Sequence, residues 1–294
     1  MNEINSYKVA VAIPCHDNLD VLKRSILSVY SDDFLIVVFD DGSTDGTEKW
    51  VKENFPKIHC LKGDGSNWWT GSLVKAIDYC MANNCDYIVS LNADVVITPE
   101  IVSKLIKCSR DNNDSIIASL VVDINDPTKV LWSGSKFEKI HKLLPIYSSK
   151  YYVKAGLSVN EVSSKSYEVD EVHGRGVLIP CTAINKIGNY DSKTFPHYGG
   201  DTDFSFRAKK NGIKMFVDPL CLAKVFVDNT SLNKKGNDSF FKKIISIKNY
   251  LFKRKNGEAL FVWWNLYKKH LPLTYFLQSY FFVIGLNIYR RLNN

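Results

Sequence analysis

The chain has 294 residues, 45% of them hydrophobic and 23% charged, which suits a globular core and excludes a disordered polyampholyte. Seven scattered cysteines, odd in number and without a CxxC pair, favour reduced thiols in a cytosol over a disulfide frame or a zinc site. The net charge of +7 is uneven: residues 234–294 hold twelve Lys/Arg against two Asp/Glu, a balance of +10, so residues 1–233 carry −3. A nucleic-acid enzyme would spread positive charge around its working cleft, so no nucleic-acid partner is expected; a basic, aromatic tail suits an anionic surface such as membrane lipid.

The opening "MNEINSYKVAVAIP" lacks the basic start and long apolar run of a signal peptide. "KVAVAIP" (8–14) reads as a short strand, and Leu19, Leu22, Ile26, Leu27 and Tyr30 recur at helical spacing over 18–31. "FLIVVFDDGSTDGT" (34–47) is a strand entering an acidic turn, with Ser43 or Thr44 as N-cap of the next helix. "IHCLKG" is a third strand and "GSLVKAIDYCMANN" (71–84) a helix. "CDYIVSLNADVVI" follows, then "TPEIVSKLIKCSRDN", which Thr98 caps with Pro99 at the first helical position. This alternation predicts an α/β fold with a mostly parallel central sheet and helices on both faces.

In open sheets of this kind ligands sit at the carboxyl ends of strands, where the strand order reverses. His16 and Asp17 follow the first strand, Asp40 and Asp41 the second, and Asn92 and Asp94 the fourth. A loop carboxylate alone is usually a turn former. Three polar clusters at the same end of successive strands point to a site, with Asp94 in it.

These strings resemble the inverting nucleotide-sugar glycosyltransferases of family 2, which have the GT-A fold. The likeness runs from about Val9 to Asp228 through "AIPCHDN", "VVFDDGSTDGT", "SLNADV" and "GGDTDFSFRAKKNG". It implies a sugar transferred from a UDP- or dTDP-sugar donor to a saccharide acceptor. Asp94 stands at the family's metal-binding acid, where Mg2+ or Mn2+ would bridge the diphosphate as a Lewis acid; Asn92 and Ala93 replace acids often found beside it. Pro14 and His16 match positions lining the base. Asp41 would accept hydrogen bonds from the base or ribose, and Asp40 would hold the loop or the ribose. Asn67, Thr70 and Gly71 in "KGDGSNWWTGS" are the polar donor candidates, with Lys75 as a diphosphate contact. Trp68 and Trp69 are core or sugar platform; Trp69 is taken for the acceptor side.

In the second half, "EVHGRGVLIP" (171–180) resembles the strand entering the sugar pocket, and Arg175 contacts a phosphate or forms a structural ion pair. Asp201 matches the general base that takes the acceptor hydroxyl's proton in a single in-line displacement, with Gly200 where relatives often have Glu. Asp203 organises the loop or binds acceptor, and His197 lines the acceptor side or caps the turn. Asp228 stands nearest to a family histidine of the metal shell.

A catalytic domain over 1–232, split into a donor half (1–110) and an acceptor half (111–232), is therefore expected before an extension over 233–294. Residues 240–255 place apolar side chains on one helical face and lysines on the other. Residues 271–289 carry no charge for nineteen residues, but Pro272, Gln278, Ser279, Gly285 and Asn287 make a poor span. The extension is read as lying on the inner face of the cell membrane, which suits a lipid-linked acceptor in bacterial polysaccharide assembly; the bland reading packs it on the catalytic domain or a second subunit as in a homodimer. Two rival functions are a sugar-nucleotide nucleotidyltransferase, whose basic glycine loop is absent from "PCHDNLD", and a silent carbohydrate- or lipid-binding subunit.

Overall fold

Continuous apolar runs rather than alternating ones open the chain, and they form strands covered on both faces. The computed structural model describes residues 7–226, 240–252 and 259–293. All seven residues of β1 (Val9–Cys15) are buried. It is followed by α1 (Leu19–Val29), β2 (Phe34–Asp40), α2 (Thr47–Asn54), β3 (His59–Lys62), α3 (Trp68–Ala82), β4 (Tyr87–Leu91), the two-residue β5 (Val95–Val96) and α4 (Pro99–Asp111). Strands β1, β2, β3 and β4 are parallel and lie in the order β3-β2-β1-β4. The order reverses beside β1, so residues 15–17, 40–43 and 91–95 emerge at one edge, as expected.

The second half adds β6 (Ile116–Asp123), β7 (Val130–Trp132), β8 (Ser135–Lys139), β9 (Tyr147–Tyr151), β10 (Tyr167–Val169), β11 (Arg175–Pro180), α5 (Cys181–Ile187), α6 (Gly200–Lys210) and β12 (Met215–Val225). Strand β11 runs antiparallel between β4 and β6, with Arg175 opposite Leu91. Because it runs backwards, it delivers its start, not its end, to the edge where β1, β2 and β4 finish. That single inversion brings "HGRG" to the polar clusters of the first half. The sheet continues through β12 and β10, while β8 and β9 form a separate hairpin.

Thr98 caps α4 from its side chain with Pro99 in the first turn, as the sequence predicts. Two helix starts differ. The N-cap of α2 is Gly46, at φ 87°, rather than Ser43 or Thr44. Those two residues are engaged across the edge: Thr44 donates to the Asp17 carboxylate and the Ser43 hydroxyl accepts from the Asp17 N–H. Helix α3 begins at Trp68, three residues before the periodic stretch, because Asp41 captures the N–H groups at its start.

The extension forms α7 (Phe240–Phe252), α8 (Ala259–His270) and α9 (Leu273–Asn293). The proposed domain boundary at 232/233 and Asp228 both lie outside the described residues. No helix among the described residues is long and apolar enough to cross a membrane. A second core, centred on Phe195, Leu266, Tyr267, Phe276 and Tyr280, joins the extension to the catalytic half. Ser279 accepts from the Tyr147 N–H (2.9 Å), fixing α9 to β9.

The polar hub of this contact is Asp203, fully buried in the first turn of α6. It accepts from Arg207 Nε (2.8 Å) on its own helix, and from Lys269 Nζ (2.8 Å) and His270 Nε2 (2.8 Å) in the last turn of α8. Asp203 is therefore spent on pinning the extension, which corrects its assignment to the acceptor. Burial pushes its carboxyl up, but the bonds from His270, Lys269 and Arg207 outweigh burial and hold it down at about 2. Since this is below the ordinary aspartate value, the stabilisation is present above roughly pH 4 and is lost as pH falls through the folded value. Asp203→Ala leaves Arg207 without its carboxylate, His270 without its acceptor and Lys269 with Asp191 alone, and should cost ~3 kcal/mol or more in urea unfolding; a cost under ~1 kcal/mol would match an exposed pair instead.

Candidate active site

The donor side is built around one carboxylate. Asp41 follows β2 directly, and its N–H donates to Cys15 O (2.9 Å), joining the ends of β1 and β2. Its two oxygens accept from Gly65 N (3.0 Å), Asn67 N (3.0 Å), Asn67 Nδ2 (2.8 Å) and Trp68 N (2.9 Å). A carboxylate offers about four lone-pair sites, and all are taken. Asp41 thus holds the 65–68 loop and has no free acceptor for a base or ribose, contrary to expectation. Asp40 holds the neighbouring turn, accepting from Ser43 N (2.9 Å) through its side chain and from Gly63 N (2.7 Å) through its carbonyl.

Pro14 ends β1 inside the core, and His16 stands at the mouth with its side chain about half exposed and Nδ1 2.7 Å from Asp41 O. Asn67 is committed to Asp41. Gly71 and Thr70 are buried in the first turn of α3, where Thr70 N donates to Pro196 O (3.0 Å). The Thr70 hydroxyl is buried without a partner among the described residues and faces Gly200: a Cβ there would come within 2.8 Å of it. A glutamate at position 200 has no room. Lys75 is exposed two turns along α3 from its site end, about 10 Å by helical rise, so the fold does not bring it to this cluster.

Trp69 links the two halves. Its indole N–H donates to Asn92 Oδ1 (2.9 Å), its ring meets Tyr190 edge-on (6.4 Å), and Asn92 N donates to Gly174 O (3.1 Å). Trp69 is therefore a half-buried bolt, not an open acceptor platform, and the Asn92 carbonyl is engaged by it rather than by a donor. The Gly174 N–H helps in turn to hold the Asp201 carboxyl down. A bonded path thus runs from Asp41 through the 65–68 loop, Trp69 and Asn92 to Gly174.

Asp201 lies in the first turn of α6. Burial raises its carboxyl to about 6, against the lowering pull of His173, the Gly174 N–H and Arg175, while Glu171 pushes it further up. Burial also raises Asp94, and Arg175 opposes that shift. One guanidinium therefore acts on both carboxylates. The His197 ring stands edge-on to Trp68 at 5.5 Å.

Two residues near Asp201 were not singled out from the sequence. His173 packs tilted against Trp132 (4.8 Å, 33°) and brings Nε2 to 3.5 Å from Oε1 of the buried Glu171. Burial pushes Glu171 up, but bonds from His173, Thr202 and Ser149 leave its carboxyl below the ordinary value. The signal was present: Glu171, His173 and Arg175 alternate with Val172, Gly174 and Gly176, a period of two that puts the polar groups on one face.

Among the described residues no group of three or more His, Cys, Asp and Glu could hold a metal by itself. Asp94 offers one hard oxygen. That donor fits a divalent cation taking the rest of its shell from a diphosphate and water.

With this geometry in place, the comparisons are direct. The sequence pattern of "Glycosyl transferase family 2" matches residues 10–166, a little over half of the chain, and the chain belongs to that family. Its fold is similar to that of GalNAc-T7, solved with UDP, GalNAc and Mn2+ (TM-score 0.56, 13% identity, 90% of this chain and 52% of that one). It is also similar to the mannosyltransferase PcManGT from Pyrobaculum calidifontis in complex with GDP-Man and Mn2+ (TM-score 0.53, 14% identity, 98% of this chain and 73% of that one). These likenesses show the GT-A fold; the chain spans about half the length of the GalNAc-T7 chain. No curated protein sequence matches.

The loop of residues 63–68 packs against Asp41 without spare volume. A Cβ on Gly63 would lie 2.4 Å from Asp41 Oδ1 and 2.8 Å from the Phe39 ring. Gly63→Ala should cost about 1–3 kcal/mol in thermal or urea unfolding; a neutral result would mean the loop yields freely.

Proposed function

We propose that the protein transfers a sugar, with inversion, from a UDP- or dTDP-sugar to a saccharide acceptor, and that Asp201 is the general base. What supports this reading is Asp201 in the first turn of α6, its carboxyl raised by burial to about 6, with Arg175 from the start of β11 near enough to pull it down and to act on Asp94 as well. A carboxylate with that value is ionised at neutral pH and basic enough to accept the proton of an alcohol as the new bond forms. It lies two residues from the Asp203 clamp in the same first turn of α6, which supports a fixed place for it. His173 and Glu171 stand behind it and set its charge environment.

The leaving group is a nucleoside diphosphate whose negative charge grows as the glycosidic bond breaks. Arg175 would stabilise that charge, more strongly where water is excluded. Asp94 would hold a Mg2+ or Mn2+ ion, which when bound supplies Lewis-acid stabilisation of the diphosphate. The 65–68 loop and His16 line the donor side. For the acceptor, the basic, aromatic extension favours a lipid-linked saccharide, and so a cytoplasmic enzyme working on the inner face of a bacterial membrane during surface polysaccharide synthesis.

Turnover is tested by nucleoside diphosphate release from a panel of UDP-, dTDP- and GDP-sugars with saccharide acceptors. Asp201→Asn should lose ~10²–10⁴ in kcat while donor binding persists; full activity would refute the base assignment. Because the Asp201 carboxyl is protonated below its raised value, kcat/KM should fall about tenfold per pH unit below pH 6 and level off above it. A profile flat down to pH 4.5 would exclude this group. Chelation should abolish turnover, with rescue by Mn2+ or Mg2+, and Asp94→Ala should cost on the order of 10²–10³; undiminished activity in chelator would remove the cation from the reading.

A further inference from the structure

We propose that His173 accepts a hydrogen bond from a hydroxyl of the saccharide acceptor, and that Glu171 is the positioning residue that holds its ring for this. The inference rests on Asp201 as the general base and adds what the incoming sugar meets beside it. A carboxylate is expensive to bury unless its oxygens are engaged, and Glu171 is 4% exposed. Its backbone is fixed by Ser135 of β8, each N–H donating to the other's carbonyl at 3.2 Å. Its side chain then joins two elements: Oε1 accepts from the Thr202 hydroxyl of α6 and lies 3.5 Å from His173 Nε2. Further along α6 the Ser205 hydroxyl accepts from Val172 N (3.1 Å). Residues 171–173 are thereby tied to the turn that carries Asp201, the residue before Thr202.

Glu171 also decides which nitrogen of His173 is left over. An ionised carboxylate only accepts. The ring nitrogen that faces it, Nε2, therefore carries the proton, and the neutral imidazole keeps its lone pair on Nδ1. Trp132 closes one side of the ring, yet the His173 side chain keeps 30% of its surface open. An oriented ring with one nitrogen to spare can hold a ligand hydroxyl, whereas the Thr202 bond alone could be made by any neutral acceptor.

The neighbourhood selects the acceptor over the donor. Trp132, Ser135, Glu171, Thr202 and Ser205 all come from the second half of the chain, and none of these contacts involves the loops at 15–17, 40–43 or 63–68. The imidazole is also the leading influence that opposes the burial shift of Asp201, so it stands near the base. A saccharide presents hydroxyls on adjacent carbons. As the oxygen of one bonds to the donor's anomeric carbon, its proton passes to Asp201, and the diphosphate leaves with the electron pair of the broken glycosidic bond. The neighbouring hydroxyl would donate to His173 Nδ1. His173 thus favours acceptors with a second hydroxyl beside the reacting one.

The test uses the full chain with a panel of methyl glycosides as acceptors and with UDP or dTDP, whichever binds the wild type. His173→Ala should raise the KM for the methyl glycoside about tenfold, while nucleotide affinity by calorimetry stays at the wild-type value. His173→Asn, whose Oδ1 takes the place of Nδ1, should recover most of that loss. Glu171→Gln, with one acceptor oxygen instead of two, should raise the same KM about threefold. Added to His173→Ala it should raise KM no further, because Glu171 acts through the imidazole. An unchanged KM in His173→Ala would overturn the proposal. So would additive losses, or a matching fall in nucleotide affinity, since the variants would then only loosen the fold around Asp201. A second readout needs no turnover, and so stands apart from any failure of the enzymatic reading: the His173 ring resonances in a 15N-edited NMR spectrum should shift with a methyl glycoside and not with the nucleotide. Resonances that move with the nucleotide instead, or with neither, would remove His173 from the acceptor.

Discussion

The site depends on how completely the Asp41 carboxylate is satisfied. Desolvating an aspartate at the end of a buried strand is expensive, and four donors from a single loop offset that cost. Those donors are not interchangeable: two of the backbone N–H groups belong to the residues that start α3, so meeting the needs of Asp41 also sets where that helix begins. From there Trp69 has little choice of position. It reaches Asn92, and Asn92 reaches Gly174, whose N–H helps to hold the Asp201 carboxyl down. The electrostatics at Asp201 are thus referred back to a group that need never touch a substrate.

Much of the fold was legible in the sequence because it is written in short-range signals. Apolar runs marked the covered strands, Thr98 and Pro99 marked the start of α4, and the polar residues after β1, β2 and β4 marked the edge where a site belongs. The strings "DDGSTDGT" and "CHDN" were equally visible, but their meaning differs from the expected one. Asp17 bonds to Ser43 and Thr44 across two loops, and Asp45 accepts from Leu19 N (2.8 Å) and from Thr47. The motif preserves a loop geometry as much as it supplies contacts.

What was not legible arises from contacts between distant segments. Asp203 reads as a second acid beside the base, and only the meeting of α6 with α8, 67 residues later in the chain, reveals it as a clamp. Lys75 has the charge for a diphosphate but sits on the wrong turn of α3. Asn92 looks like a weakened metal ligand until the Trp69 indole is seen to occupy its carbonyl. Each error came from assigning a group by its type, when geometry had already committed it elsewhere. Glu171 and His173 were missed for the opposite reason: their alternation was read as strand, and the face they share was left unexamined.

The first turn of α6 contains two aspartates, one letter apart, in opposite protonation regimes. Asp203 remains anionic to about 2 because cations surround it, whereas Asp201 gains its proton near 6 because apolar burial does. On the reading of Asp201 as general base, the chain between those values would hold a protonated base while the Asp203 clamp stays charged and the extension gripped. Mild acidification would then act as a reversible brake, released by the return of neutral conditions with no refolding step.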